Sequence, residues 1–253
     1  TINKGNLVQI HHVGFQGYEH RAAEKYLSQQ GISKPSAPIL APEFTNPLFL
    51  KTCCQALKST NATTFPKGLH GITSLFDFYL QSIELTLARK KNYNPSEEII
   101  KTCLTQIASK IFPDNLDGIL IHEARKLVNE HDPNPNRGDS LFNEFIYEGI
   151  LSEDISYKEN KRGKPVIRFT YERFSDHFIA QQLVEKYDSK NISNIFTPKQ
   201  PLGRLILENR FYALEGIFEA LSILFAEKFG KELVDLLPKS KKIHKHSISE
   251  IFF

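Results

Sequence analysis

The chain is predicted to be mainly α-helical, and three observations support this. Apolar residues recur at helical spacing through most of residues 44–130 and again after residue 200. A proline and a threonine stand at positions 47 and 73, where two of these segments would begin. Strand-like runs are confined to three short stretches, at residues 7–15, 149–157 and 166–171.

The composition is that of an ordinary globular protein. The chain has 253 residues, 40% of them hydrophobic, and a formal net charge of +3. That charge is too small to indicate nucleic acid or a membrane by itself. No apolar run approaches the roughly 20 residues that span a bilayer, and the N-terminus does not resemble a signal peptide. We therefore expect a cytoplasmic location and no membrane contact. The odd set of Cys53, Cys54 and Cys103 has no metal-ligand spacing and predicts reduced, buried thiols.

The N-terminal region is predicted to contain one strand and one helix. Residues 7–15 are dense in apolar and β-branched side chains and favour a short strand. A helix is expected from Glu19 to Gln30, with Gly31 ending it. The proline-rich residues 33–44 can be neither helical nor central in a sheet, so they predict a connector.

Residues 44–130 are predicted to form a helical unit. Pro47 suits the first turn of a helix that ends near Ser59. Thr73 is expected to cap a long amphipathic helix that ends near Lys91. Two more helices are predicted at about 95–112 and 117–130. The turn-rich sequence HDPNPNRGD then ends the unit.

The next region has a different pattern. A short helix at 140–149, a strand at 149–157, a polar turn at 158–165 and a strand at 166–171 are typical of a winged helix. A helix at 175–187, a polar linker at 188–200 and one or two C-terminal helices follow. The predicted domains are residues 1–43 (strand, helix and connector), 44–133 (helical domain), 134–188 (winged helix) and 189–253 (linker and C-terminal helices).

The segment EFTNPLFLKTCCQAL, residues 43–57, carries the first of two resemblances. It resembles the F-x-N-P-L-F-L element that opens the helical subdomain of NACHT and related STAND ATPases. In that family the proline lies against the nucleotide, near its base and ribose, which would assign Pro47 and its neighbour Asn46 to a nucleotide site. A proline has no N–H to leave unpaired in such a contact. The alternative is a proline in the first turn of a helix whose Leu and Phe residues enter the core.

The segment IRFTYERFSDHFIAQQLVEKY, residues 167–187, carries the second resemblance. It resembles the end of a NACHT winged-helix domain, with the pattern F-x-H-x-x-F-x-E-x-F-x-A. The family's histidine, which holds the β-phosphate of ADP, corresponds to Tyr171. A tyrosine hydroxyl can donate to phosphate but carries no positive charge. Arg173 or His177 could supply that charge. The alternatives are an ion pair of Arg173 with a nearby carboxylate and a surface or packing role for His177.

Together, and in this order, the two segments resemble the C-terminal part of a NACHT module, most closely that of bacterial antiviral STAND ATPases. The resemblance implies a regulatory lid that closes over ADP or ATP (with Mg²⁺ in the intact protein) and controls homo-oligomerisation in antiphage defence. It also implies that residues 1–43 contain the end of a nucleotide-binding core and that residues 189–253 begin a sensor region. The rest of the NTPase core would lie upstream and the rest of the sensor downstream in the same polypeptide, with a protein as trigger ligand. The chain contains no Walker A motif and no strand ending in paired acidic residues. We expect those motifs before Thr1 and no ATP hydrolysis by this chain alone.

Other functions are less favoured by the sequence. The nine histidines show no metal-ligand spacing, and no nucleophile motif is present, so no metal site or catalytic residue is assigned. The main alternative is a DNA-binding or adaptor protein with a winged helix, since residues 158–164 and 239–246 are basic. The expected recognition helix, however, carries Glu144 and Glu148 and no cation, which disfavours DNA. A purely structural interaction module remains a third possibility.

Overall fold

A computed structural model describes residues 17–34, 45–66, 72–135, 139–157, 163–188, 190–208 and 214–236. The chain divides into two units, Thr1–His70 and Gly71–Phe253, and each is described by itself. The division falls inside the range predicted as the helical domain. The described residues are mainly helical, with one three-stranded antiparallel sheet in the C-terminal unit. No helix in these ranges is long and apolar enough to cross a membrane.

The N-terminal unit contains helices α1 (Glu19–Gln29) and α2 (Pro47–Ser59). Helix α1 ends where predicted, because Gly31 adopts a φ of +71° that side chains with a Cβ disfavour. It buries Ala23 and Leu27. The predicted strand at 7–15 and most of the proline-rich connector lie outside the described residues.

The first two helices of the C-terminal unit are α3 (Ile72–Lys91) and α4 (Ile99–Ile111). Since α3 begins at Ile72, Thr73 lies in its first turn and does not precede it as a cap. The residue that precedes α4, Glu98, makes no capping hydrogen bond with its side chain. Glu84 of α3 replaces that cap, because its carboxylate accepts hydrogen bonds from the backbone N–H of Ile100 at 3.0 Å and the Tyr93 hydroxyl at 2.8 Å. Glu84 thereby fixes α4 against α3.

The sheet is made of three strands interleaved with two helices. In chain order these elements are β1 (Ile119–Leu120), α5 (Ile121–Asn129), α6 (Leu141–Tyr147), β2 (Leu151–Ser156) and β3 (Lys164–Phe169). The strand order is β1-β3-β2, with Ile119 opposite Ile167 and Glu153 also opposite Ile167 on the other side. Gly118 is required beside β1, since a Cβ there would lie 2.6 Å from the Ile167 carbonyl oxygen.

The sequence predicted one helix over residues 117–130, whereas the structure has β1 before α5. A two-residue strand is too short to show any alternation, and its partner is more than forty residues away in sequence. The predicted hairpin at 149–171 is present as β2 and β3. The middle of its polar turn, residues 158–162, lies outside the described residues.

The remaining elements follow β3 directly. They are α7 (Glu172–Glu185), a 3₁₀ turn (Ile192–Phe196), α8 (Pro201–Leu207), α9 (Glu215–Phe229) and a last 3₁₀ turn (Leu233–Leu236). Helix α7 begins three residues before the predicted start at 175. It packs along α9, and Gly216 permits this close approach, because a Cβ at that position would lie 1.9 Å from Asp176 Oδ2. The basic tail at 239–246 is outside the described residues.

Candidate functional site

Asn46 and Pro47 form the beginning of α2. The Asn46 side-chain oxygen accepts hydrogen bonds from the backbone N–H groups of Leu48 at 2.9 Å and Phe49 at 3.1 Å. Asn46 is therefore an N-cap that satisfies two of the unpaired donors of the first turn. Pro47 occupies the next position, where its missing N–H costs nothing, and its ring is exposed. Phe49 of the same turn is fully buried.

Tyr171 lies at the junction between β3 and α7. It occupies the N-cap position of α7 in an extended conformation, and its side chain makes no capping hydrogen bond. Its ring contacts the edge of Phe76, with 5.8 Å between the ring centroids. Phe76, from α3, also packs against Phe174 and His177 at 5.5 and 5.1 Å. Three side chains of the second resembling segment, spaced three residues apart, are thus held by one aromatic ring of α3.

Arg173 lies in the first turn of α7 and forms an ion pair across to α9. Its guanidinium Nη2 donates to Glu219 Oε1 at 2.8 Å. About a third of the Arg173 side chain and half of the Glu219 side chain remain exposed to solvent. In this arrangement the guanidinium already has a carboxylate ligand, the alternative that the sequence left open. An anion at this guanidinium would share it with Glu219 or displace that carboxylate.

His177 is buried, with 1% of its surface exposed. Neither ring nitrogen has a hydrogen-bond partner among the described residues. Burial, together with the positive charge of Arg173, lowers the pKa of His177 to about 4. The imidazole is therefore neutral at pH 7, and in this arrangement it serves as a packing group rather than as a charged phosphate ligand.

Asp176 stands at the acidic position of the second resembling motif but is not among the predicted nucleotide ligands. Burial raises its pKa to about 7, and the carboxylates of Glu172 and Glu219 contribute to the rise. Its Oδ2 lies directly against the backbone of α9 at Gly216. Two sequence signals pointed to it: its match to the acidic position of the second resembling motif, and its spacing of four residues from Glu172, which places two acids on one helix face. The approach of α9 was not visible in the sequence.

A buried ion pair fixes the segment that leads into α6. Lys91 and Asp132 are both nearly inaccessible, with 3.3 Å between Lys91 Nζ and Asp132 Oδ1. Lys91 also donates to the carbonyl oxygens of Asn134, at 3.0 Å, and Asp139. Asp132 accepts from the backbone N–H of Leu141, the first residue of α6, at 2.6 Å. This network positions α6 from the end of α3.

An open cleft lies between α5 and β3, with a volume of about 1040 Å³. Its lining residues come from β1, α5 and β3: Leu120, Ile121, His122, Arg125, Lys126, Asn129, Glu130, Lys164 and Pro165. Apolar surface predominates in the lining, and the charged side chains are mostly basic. Of these residues, Lys164 belongs to the basic segment 158–164 on which the DNA-binding alternative depends, and no sequence motif marks the others.

The cysteines and acidic residues offer no redox or metal centre in the described ranges. Cys53, Cys54 and Cys103 are free and buried, as predicted. Burial raises the pKa of the Cys54 thiol to about 11 and that of Cys103 to about 12, so both stay protonated at pH 7. Within the part of the chain that the structure describes, no group of three His, Cys, Asp or Glu residues could hold a metal ion.

The five residues selected from sequence fall into two groups. Asn46 and Pro47 belong to the N-terminal unit, and Tyr171, Arg173 and His177 lie together on the first two turns of α7 in the C-terminal unit. Comparison of the chain with models of protein families, with curated proteins and with solved structures gives no match.

Proposed function

We propose that this chain is the regulatory lid of a nucleotide-dependent switch of the STAND type. In this proposal its helices and a winged helix close over ADP or ATP and control homo-oligomerisation in antiphage defence. An NTPase core and a sensor elsewhere in the polypeptide, and a protein trigger, complete the switch. The observation that carries the proposal is the junction of β3 and α7, where the second resembling motif forms a tight turn with Tyr171 and Arg173 at its surface-accessible end.

The arrangement of α5, α6 and the sheet supports a winged helix. Two helices joined by a turn are followed by the hairpin of β2 and β3, and the short β1 pairs with the other edge of β3. Because β1 pairs with β3, the proposed winged helix would include β1 and α5 in addition to the predicted residues 134–188. Only two residues separate the end of β3 from the start of α7. This short connection holds the start of α7, with the second resembling motif, close to the sheet.

The residues at the start of α7 could contact a phosphate group from one side, but they do not surround it. Tyr171 offers a hydroxyl, and the start of α7 offers backbone N–H groups and the positive end of the helix dipole. Arg173 offers a guanidinium if it releases Glu219. His177 is packed against Phe76, so we assign it to positioning α7.

Pro47 would contribute a separate contact. Its exposed ring and its position ahead of the buried Phe49 leave one flat apolar surface at the beginning of α2, suited to a base or ribose. Asn46 would then hold α2 in place through its two backbone hydrogen bonds. The nucleotide would bias a two-state element, closed when these groups are engaged and open when they are released.

The experiment is equilibrium binding of ADP to the complete product of the gene that encodes this chain. Arg173→Ala and Glu219→Gln each break the same ion pair, but only the first removes the proposed ligand. We expect Arg173→Ala to weaken ADP binding about tenfold or more, the loss of a charge-assisted hydrogen bond. Glu219→Gln should leave the affinity unchanged or raise it, because Arg173 is then free for phosphate. Equal affinities for Arg173→Ala and the parent protein would refute the proposal.

Duplex DNA binding is the alternative function, and the structure offers little for it at α6. The positive charge that lies beside α6 belongs to Lys90 of α3. Lys90 is paired with Glu144, and its Nζ lies 4.6 Å from the centroid of the Tyr147 ring. Leu141 and Phe142, at the start of α6, are fully buried. A mobility-shift assay with duplex DNA at low and moderate salt tests this alternative. Strong, salt-sensitive retardation would support it against the lid.

A further inference from the structure

We propose that the cleft between α5 and β3 binds an acidic peptide segment that carries apolar side chains. The cleft exists because β1 is short: it pairs only with Val166 and Ile167, so Lys164 and Pro165 of β3 extend beyond its end. Helix α5 turns away from β1 at that point and forms the opposite wall. The result is a concave surface within the size range of ligand sites.

The floor of the cleft is apolar. Leu120, Ile121 and Pro165 line it, and all three are partly or largely exposed. Their side chains would be covered by the apolar groups of a docked segment, which gains about 25 cal/mol for each Å² removed from water. A duplex nucleic acid would present its phosphate backbone here and leave this floor uncovered.

The rim of the cleft is basic. Arg125, Lys126, Lys164 and His122 line the cleft beside these apolar residues, and Glu130 is the one acidic residue among the described residues of the lining. Within the described ranges neither Lys126 nor Lys164 has an ion-pair partner, although other cations, such as Lys91 in the buried pair, do. This excess of positive charge is complementary to a segment rich in Asp or Glu.

Arg125 and Asn129 add features expected of a docking site. The guanidinium of Arg125 lies 4.8 Å from the ring centroid of Phe142, so stacking restrains it before any partner arrives. The Asn129 side-chain oxygen is buried and has no hydrogen-bond partner among the described residues. If the Asn129 side chain rotates towards the cleft, a backbone N–H of an extended peptide can donate to this oxygen, which satisfies a group that is costly to leave unpaired.

The test is fluorescence anisotropy with the 253-residue chain and a fluorescein-labelled peptide of alternating Glu and Leu. We expect saturable binding that weakens with added salt. Lys126→Glu combined with Lys164→Glu should weaken it at least about tenfold. Lys186→Glu combined with Lys231→Glu makes the same charge change on exposed residues away from the cleft and should leave the affinity within about twofold. Circular dichroism establishes that both variants are folded.

Two further probes test the apolar contact and the Asn129 hydrogen bond separately. A peptide with Ser in place of Leu should bind at least about tenfold more weakly, because the floor is then uncovered. Asn129→Ala should weaken the Glu-Leu peptide without changing its salt dependence, since no charge is lost. The proposal is overturned if the Glu-Leu peptide does not bind, or if both double variants weaken it equally. It is also overturned if duplex DNA binds the chain more tightly than the peptide does and if the Lys126→Glu, Lys164→Glu double variant loses this DNA affinity.

Discussion

Replacing Asp176 by Asn should stabilise the protein in a strongly pH-dependent way. Burial against α9, with Glu172 and Glu219 nearby, raises the pKa of this carboxyl from 3.8 to about 7. A carboxyl whose pKa is raised on folding stabilises the folded state most when it is protonated. Its contribution to the free energy of unfolding is therefore fully present below about pH 4 and is lost as the pH rises through 7. For these pKa values the loss between about pH 5 and pH 8 is roughly 2–3 kcal/mol. The amide of Asn carries no charge and avoids that loss.

The assay is urea denaturation followed by circular dichroism at about pH 5 and pH 8. The stability advantage of Asp176→Asn over the parent protein should grow by roughly 2 kcal/mol across this interval, allowing for partial solvent exposure. Asp235→Asn is a matched control, because Asp235 is exposed and its variant should show no such growth. An advantage that is the same at both pH values would refute the reasoning, since burial of the charged form would then cost nothing.

Three other predictions concern the packing that holds α7 and the sheet in place. Gly216→Ala should destabilise the chain by about 1–3 kcal/mol in thermal melts, because its Cβ would lie 1.9 Å from Asp176 Oδ2; an unchanged melting temperature would contradict the contact. Lys91→Met should cost about 3–5 kcal/mol, since Asp132 is left buried without its partner cation. Adding Asp132→Leu to it should recover part of that loss. Glu84→Ala should cost about 2 kcal/mol through the uncapped start of α4, with hydrogen exchange there rising first.

Much of the helical structure could be predicted from local sequence. The Asn-Pro pair at 46–47 predicts a capped helix start by itself, and the structure places α2 there to the residue. Gly31 ends α1 for the same reason, a local backbone preference. The hairpin of β2 and β3 was also visible, because its strands are close in sequence and separated by polar residues. In each case the signal and the structure lie within a few residues of one another.

The features that depend on distant contacts could not be predicted. Strand β1 exists because of its pairing with β3, which the local sequence does not encode. Arg173 was selected for its chemistry, but its partner Glu219 lies 46 residues later on α9. The burial of His177 likewise results from Phe76 of α3. Sequence therefore indicated which residues are chemically able to act, whereas packing determines which of them are already engaged.

The role of the α7 start as a nucleotide lid is tested most directly by hydrogen–deuterium exchange on the complete gene product, with and without ADP. We predict that ADP slows exchange at the first turn of α7, from Glu172 to Ser175, and at the start of α2, while α8 is unaffected. ADP that binds to the protein yet leaves exchange at both helix starts unchanged would contradict the lid.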